Sequence, residues 1–148
     1  MAILRDEAAT LPDWLRTLEQ LETCWKGGEI VYSIVENDST DATPTLLQRW
    51  LCQREGSWIS ERRHAPALRS GTSSARTTAL ADLRNLALDR LLLHPVELIC
   101  VIDGGLIISV EQPLRLMHQL LAHPRFAMVA GSAMQNVPDV VDGGPNSH

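Results

Sequence analysis

The chain has 148 residues, of which 45% are hydrophobic, and its formal net charge is −5. This length predicts one domain, and the apolar fraction is large enough for a true core, which excludes wholesale disorder. The acidic balance argues against a protein that coats nucleic acid.

The sequence also limits where the protein is expected in the cell and whether disulfides or zinc are expected to stabilise it. No stretch reaches the roughly 18 apolar residues of a membrane span. Charged residues at 5–7 stand where a signal peptide would be apolar, so we expect a cytoplasmic setting. Cys24, Cys52 and Cys100 form no CxxC pair, and neither a zinc site nor a disulfide framework is expected.

Helical and extended periodicities alternate along the chain. Glycine and proline separate the segments, as at Gly27-Gly28 and His94-Pro95. In chain order, the pattern predicts a helix from Leu11 to Leu21, a strand at 29–35, a helix at 43–51 capped by Thr43, a weaker strand at 56–63, a loop at 64–74, a long helix at 74–93, a strand at 96–103, a helix at 111–122 and a strand at 125–132.

This alternation predicts an α/β fold, a three-layer sandwich with a mostly parallel sheet and helices on both faces. In such sheets, ligands bind at the carboxyl ends of the strands, near a reversal of strand order. Glu36 follows one predicted strand and Asp103 ends another, so we expect both at one edge of the sheet.

Six polar residues, Glu36 to Asp41, separate the strand at 29–35 from the next helix. Short polar side chains can simply shape a turn by bonding to their own backbone. A carboxylate at a strand end can also accept two hydrogen bonds from a ribose diol or a base edge. Both interpretations of this polar hexad stay open.

A second polar feature is the segment from Arg49 to Arg84, which contains seven arginines and no lysine. The guanidinium fork suits phosphate, so this segment favours local anion recognition. The alternative is a solvated face without a ligand.

The stretch "ENDSTDATPTLL" (36–47) resembles the "DDGSTDGT" signature of nucleotide-sugar glycosyltransferases with the GT-A fold, in wording closer to capsule-type alpha-1,3-mannosyltransferase relatives. Three further stretches are similar to that group in the same order. They are "AILRDEAATLPDWLRTLEQL" (2–21), "RTTALADLRNLALDRL" (76–91) and "ELICVIDGGLIISVEQPLRLMHQLLAHPRFAMVAG" (97–131).

The resemblance implies a truncated, Rossmann-like donor-binding half at 1–134. The residues after Met134 are rich in Asn, Pro, Asp and Gly, which predicts a flexible tail at 135–148. A GDP- or UDP-sugar would be the donor. By position, Glu36 would meet the base or ribose and Asp41 would support its loop, while Arg76 is a candidate for the diphosphate. The implied nucleotide-sugar-binding residues are Glu36, Asn37, Asp41, Arg76, Arg84 and Asn85.

The family places a DxD motif after the central strand, and this motif binds a divalent cation that bridges the two phosphates. Here the motif is incomplete, because Gly105 stands in place of the second carboxylate after Asp103. In a shifted alignment, Asp103 is the second carboxylate and Val101 replaces the first. The resemblance therefore implies Mn²⁺ or Mg²⁺ at Asp103, held by one motif carboxylate. The alternative is that Asp103 only caps the Gly-Gly turn.

The leading hypothesis is an enzyme that transfers a hexose to a carbohydrate or lipid-linked acceptor. Nothing after about Met134 resembles an acceptor lobe, so no catalytic residue is assigned, and self-association or a partner chain would supply the absent half. The incomplete motif leaves open a non-catalytic nucleotide-binding or interaction module of the same fold. A phosphate-handling hydrolase built around Asp103 ranks third.

Overall fold

The computed structural model describes residues 1–63, 74–106 and 108–123, together with residues 125, 128 and 130. It has the predicted α/β architecture, with a three-stranded parallel sheet. The described elements are β1 (Ala2–Leu4), α1 (Leu11–Cys24), β2 (Tyr32–Asn37), α2 (Thr43–Leu51), β3 (Gly56–Glu61), α3 (Ser74–Leu91) and α4 (Glu111–Ala122).

The sheet has the order β1-β2-β3, so the first two connections move the chain in one direction. Leu4 lies opposite Glu36, and Glu36 lies opposite Ser60. All six residues of β2 are buried, as expected for a central strand covered on both faces. The strand runs two residues further than predicted, through Glu36 and Asn37.

The prediction of a strand at 96–103 is wrong, because the structure has no strand in this segment. It nevertheless runs parallel to β1: Ile102 N–H donates to Met1 O at 3.2 Å, and Gly104 N–H donates to Ile3 O at 3.3 Å. These long hydrogen bonds place the segment beside β1, on the side away from β2. Strand order therefore reverses at β1, which is the point where α/β sheets usually bind ligands.

Two hydrophobic clusters confirm the three-layer arrangement. On one face, α1 and α2 bury residues such as Trp14 and Leu47 against Leu4 and Ile34. On the other face, Leu83 and Ala87 of α3 pack against Val35, with Ile3 at the margin. Neighbouring residues of a strand thus face different layers.

One predicted helix cap is wrong. The residue before α2 is Ala42, and Thr43 is already the first helical residue, followed by Pro44. The Thr43 hydroxyl instead accepts a hydrogen bond from the backbone N–H of Glu7, at 2.8 Å. The side chain predicted to cap a helix therefore joins the first turn of α2 to the loop that follows β1.

Residues 64–73 of the predicted loop at 64–74, most of the predicted strand at 125–132 and the tail at 135–148 lie outside the described residues. Among the helices that the structure describes, none has the length and apolarity needed to cross a membrane.

Candidate functional site

The loops that follow β1 and β2 are joined by hydrogen bonds at the carboxyl edge of the sheet. Asp6 N–H donates to Ser39 Oγ at 3.0 Å, and Thr40 N–H donates back to Asp6 Oδ1 at 2.6 Å. Ala8 N–H donates to Asp41 Oδ2 at 2.9 Å. Much of the polar hexad therefore holds the loop that follows β1.

Asp41 is fixed by this network although it lies in an exposed loop. Its second oxygen, Oδ1, accepts a hydrogen bond from Thr43 N–H at 2.9 Å. Desolvation tends to raise the pKa of Asp41, but the hydrogen bonds from Thr43 and Ala8 outweigh it, so the pKa lies below its usual value. Asp41 consequently stays ionised near neutral pH and joins the loop that follows β1 to the start of α2.

Glu36 is only 1% exposed. Its Oε1 accepts from Ser39 N–H at 2.7 Å, and its Oε2 accepts from the Ser60 hydroxyl at 2.6 Å. Both carboxylate oxygens therefore have partners within the protein. In this structure the Glu36 side chain shapes the turn after β2 and ties it to β3.

Glu36 and Asp103 lie at the same edge of the sheet but on opposite faces. The hydrogen bonds of Ile102 and Gly104 put Asp103 opposite Ile3, which is itself opposite Val35. Asp103 therefore shares the face of Val35, covered by α3, whereas Glu36 follows on the other face. The two residues are also two strands apart, or roughly 10 Å.

On the α3 face, Asp103 meets Arg84. Nη2 of Arg84 lies 3.0 Å from Asp103 Oδ1 and 3.3 Å from Oδ2. The pair is about half exposed, at 42% for the arginine side chain and 51% for the aspartate. Asn37, two residues after Val35, points to the same face by strand alternation. The structure thus brings two of the predicted site residues, Arg84 and Asp103, into contact, while Asn37 lies on the same face two strands from Asp103.

Two other predicted residues lie on α3. The Ser33 hydroxyl donates to Ala87 O at 2.7 Å while Leu83 packs against Val35, so α3 runs antiparallel to β2. Arg76 precedes Leu83 by roughly 10 Å along the helix axis and thus reaches past the end of β2. Arg76 and Asn85 are both exposed.

The turn after Asp103 is formed by two glycines in close contact with β1 and its loop. Gly105 has a φ of 75°, a conformation that favours glycine. A Cβ added at Gly105 would lie only 2.6 Å from Glu7 Oε2, and one at Gly104 would lie 2.4 Å from a Leu4 methyl group. The Glu7 carboxylate therefore packs directly against the turn that carries the incomplete motif.

Sequence reasoning missed Asp6 and Glu7 as members of this edge. They follow β1 directly in the letters "RDE", and this position at a strand end was the signal that could have identified them. Within the described ranges, no three residues among His, Cys, Asp and Glu form a group able to hold a metal ion. The protein part of any metal site at this edge would thus comprise at most two such side chains.

A cavity of about 490 Å³ lies elsewhere, at the amino edge of the sheet. It is lined by residues that include Trp14, Trp25 and Leu121, and by none of the predicted site residues. The predicted site residues lie instead toward the carboxyl edge of the sheet or on α3. We place the candidate site there because the charged side chains and the strand-order reversal coincide at that edge.

The carboxyl edge lies within a region of recognisable sequence similarity. A family model described as cryptococcal mannosyltransferase 1 matches residues 1–137, which include every predicted site residue. No curated protein and no solved structure matched the chain.

Proposed function

The chain belongs to the cryptococcal mannosyltransferase 1 family, and we propose that it binds a nucleoside-diphosphate sugar and transfers the hexose to a carbohydrate or lipid-linked acceptor. Family membership supports a glycosyltransferase-like function. The observation that carries the finer proposal is the meeting of Arg84 and Asp103 where strand order reverses.

The chemistry of glycosyl transfer explains why such a site needs cations. Cleavage of the bond between the sugar and the phosphate releases a nucleoside diphosphate, and negative charge grows on its oxygens in the transition state. A guanidinium group at that position would stabilise this charge through charge-assisted hydrogen bonds. Arg84 is oriented by Asp103 for this task, and Arg76 reaches past the strand ends to the same side.

The contacts of the polar residues suggest two different roles in binding the nucleoside, one direct and one indirect. Asn37 shares the α3 face with Asp103 and would meet the base or ribose, with Asn85 as a further candidate on α3. Glu36 and Asp41 would act indirectly, since their carboxylates already hold the loop in shape. This division changes the direct contact first expected of Glu36 into a positioning role.

A divalent cation would be held by Asp103, which borders the Gly104-Gly105 turn. Mg²⁺ is typically bound through one or two carboxylates plus substrate phosphates, so one protein carboxylate would act together with the diphosphate. When bound, Mg²⁺ or Mn²⁺ would neutralise charge on the diphosphate.

The direct test is isothermal titration calorimetry of the purified chain with GDP and UDP, with and without Mn²⁺. We expect binding of one nucleotide that strengthens when Mn²⁺ is present. Heats indistinguishable from buffer dilution for both nucleotides would contradict the proposal.

A second candidate function is a nucleotide-binding module without transfer activity, which the glycine at position 105 favours. The two candidates differ in turnover. The chain is incubated with GDP-mannose or a UDP-hexose, and chromatography detects free or transferred sugar. Either product supports the enzyme, whereas nucleotide binding without either product supports the module.

A further inference from the structure

We propose that the cavity at the amino edge of the sheet, here called the amino-edge cavity, binds a neutral and largely apolar small molecule that carries one hydrogen-bond acceptor. Apolar side chains would hold this ligand, and the Nε1–H group of Trp14 would donate to its acceptor. The cavity is separate from the candidate site at the carboxyl edge, so the inference does not depend on the proposed function.

The amino-edge cavity has the size and the lining of a small-molecule site. Its volume is about 490 Å³, and ligand pockets in proteins range over roughly 300–1,000 Å³. Most of its lining side chains are apolar, and they come from α1, α4 and the segment at 96–103, as Leu18, Leu121 and Leu98 illustrate. Such a lining removes the apolar surface of a ligand from water, which favours binding.

Trp14 provides the polar group for the ligand. Trp14 lines the cavity and is only 1% exposed. Among the described residues, none accepts a hydrogen bond from its Nε1–H group. Native proteins rarely leave a buried donor without a partner, because the lost hydration is not replaced. An acceptor oxygen on a ligand in the cavity would satisfy this donor.

Trp25 forms another part of the cavity wall and joins two helices beside it. Its indole follows the end of α1 and lies 5.7 Å from the His118 ring of α4, measured between ring centroids. A Cβ added at Gly27 would collide with the Trp25 ring, so glycine at this position lets the indole fold back over the chain. The cavity therefore has an aromatic wall between α1 and α4.

The charges around the cavity favour a neutral ligand over an anion. The acidic residues that line it are all exposed and thus lie at its rim: Glu29, Glu55 and Glu97. Among the lining groups, those able to carry positive charge are His94, whose Nδ1 lies 3.7 Å from Glu55 Oε1, and the Met1 amino group. The Met1 amino group already donates to Cys100 O at 2.6 Å, and burial lowers its pKa. A carboxylate or phosphate in this cavity would meet repulsion at the rim and find no guanidinium group.

Three probes of similar size test the proposal by equilibrium dialysis against the full chain. They are 2-acetylnaphthalene, which has an acceptor oxygen, 2-ethylnaphthalene, which has none, and the anion 2-naphthoate. We expect the two neutral probes to bind and 2-naphthoate to bind much more weakly than 2-acetylnaphthalene, because its charge would be desolvated beside acidic residues.

Trp14→Phe removes the N–H group and keeps an aromatic ring in the wall. We expect the affinity for 2-acetylnaphthalene to fall about fivefold, as for loss of one neutral hydrogen bond, while the affinity for 2-ethylnaphthalene stays the same. Unchanged binding of 2-ethylnaphthalene also shows that the cavity is intact in this variant. Trp58→Phe, on β3 and outside the cavity wall, is the matched control and should change neither affinity.

A second pair of variants locates the bound probe without changing the buried core. Leu121 lines the cavity but is 55% exposed, so Leu121→Glu should fold and weaken both neutral probes by placing a charge in the wall. Leu93→Glu, at an exposed leucine outside the wall, should leave both affinities unchanged.

Three results would overturn the inference. The first is that neither neutral probe binds, which is also the result expected if residues 124–148 of the chain fill the cavity. The second is that Trp14→Phe weakens both neutral probes equally or neither, which would exclude a hydrogen bond from Trp14. The third is that Leu121→Glu and Leu93→Glu have the same effect, which would place the probe outside the amino-edge cavity.

Discussion

The carboxyl edge contains two polar regions that differ in how their charges are used. Around the polar hexad, Glu36 and Asp41 each accept two hydrogen bonds from the protein itself. At the Gly-Gly turn, Arg84 and Asp103 form one half-exposed pair with much of their surface open to solvent. The region with the more conspicuous sequence motif is thus the scaffold, while the less conspicuous one keeps its charged groups in contact with solvent.

This difference predicts that changes in the hexad reduce stability, while changes at the Gly-Gly turn reduce ligand affinity. Removal of a buried hydrogen-bond acceptor leaves its donors without a partner, which destabilises the fold. An exposed ion pair contributes little to folding, so its removal costs little. Three substitutions test the contrast.

The largest effect is expected at Glu36. Glu36→Ala removes the acceptor for Ser39 N–H and Ser60 Oγ, and we expect the free energy of unfolding to fall by about 2 kcal/mol. Urea denaturation followed by circular dichroism measures this loss. Glu36→Gln, whose amide can still bond both groups, should recover most of it, and Glu97→Ala at an exposed site should change nothing. A loss under about 0.5 kcal/mol for Glu36→Ala would contradict the scaffold role.

Arg84→Gln should have the opposite profile. We expect roughly tenfold weaker nucleotide binding, about 1.4 kcal/mol, since one charge-assisted contact is lost. The unfolding midpoint in urea should hardly move, because exposed ion pairs are worth about 0–1 kcal/mol. Arg16→Gln, which removes an exposed arginine paired with Asp13 on α1, is the control. Equal loss of nucleotide affinity in both variants would mean that only overall charge matters.

The smallest effect is expected at Asp41, in an exposed part of the network. Asp41→Asn should cost about 1 kcal/mol at neutral pH, because charged acceptors strengthen hydrogen bonds and solvent weakens the effect. The pKa of Asp41 is lowered on folding, so its contribution is fully present above the unfolded pKa of 3.8 and is lost as the pH falls through the lower folded pKa. Unfolding free energies measured from pH 7 down to pH 2 should therefore converge for the two proteins. A difference that stays constant over this range would exclude a role for the charge.

Helices and strands with clear periodicity were predictable from the sequence. The prediction for α4 has the observed bounds, and that for α3 is two residues too long at its end. The end of β2 was missed because Glu36 and Asn37 are polar and were assigned to the loop. Their burial depends on partners such as Ser60, and local sequence does not contain that information.

The segment at 96–103 shows the converse error. Its apolar, β-branched residues predict a strand, yet it is joined to the start of the chain by one short hydrogen bond, from the Met1 amino group to Cys100 O at 2.6 Å, and by two longer ones. Val101 is 51% exposed. Strand propensity describes how well a side chain suits the surface of a sheet. Whether a segment pairs as a strand depends also on which segments of the chain lie beside it.

The amino-acid sequence by itself determined the α/β class, the order of the helices and the clustering of polar residues after the strands, because periodicity and turn chemistry act over a few residues. Only the tertiary structure decided which of these polar groups face each other. Strand order and the pleat bring Arg84 to Asp103 and Glu7 to Gly105, and they turn Glu36 to the opposite face. Such pairings arise from packing between segments far apart in the chain, which no local pattern encodes.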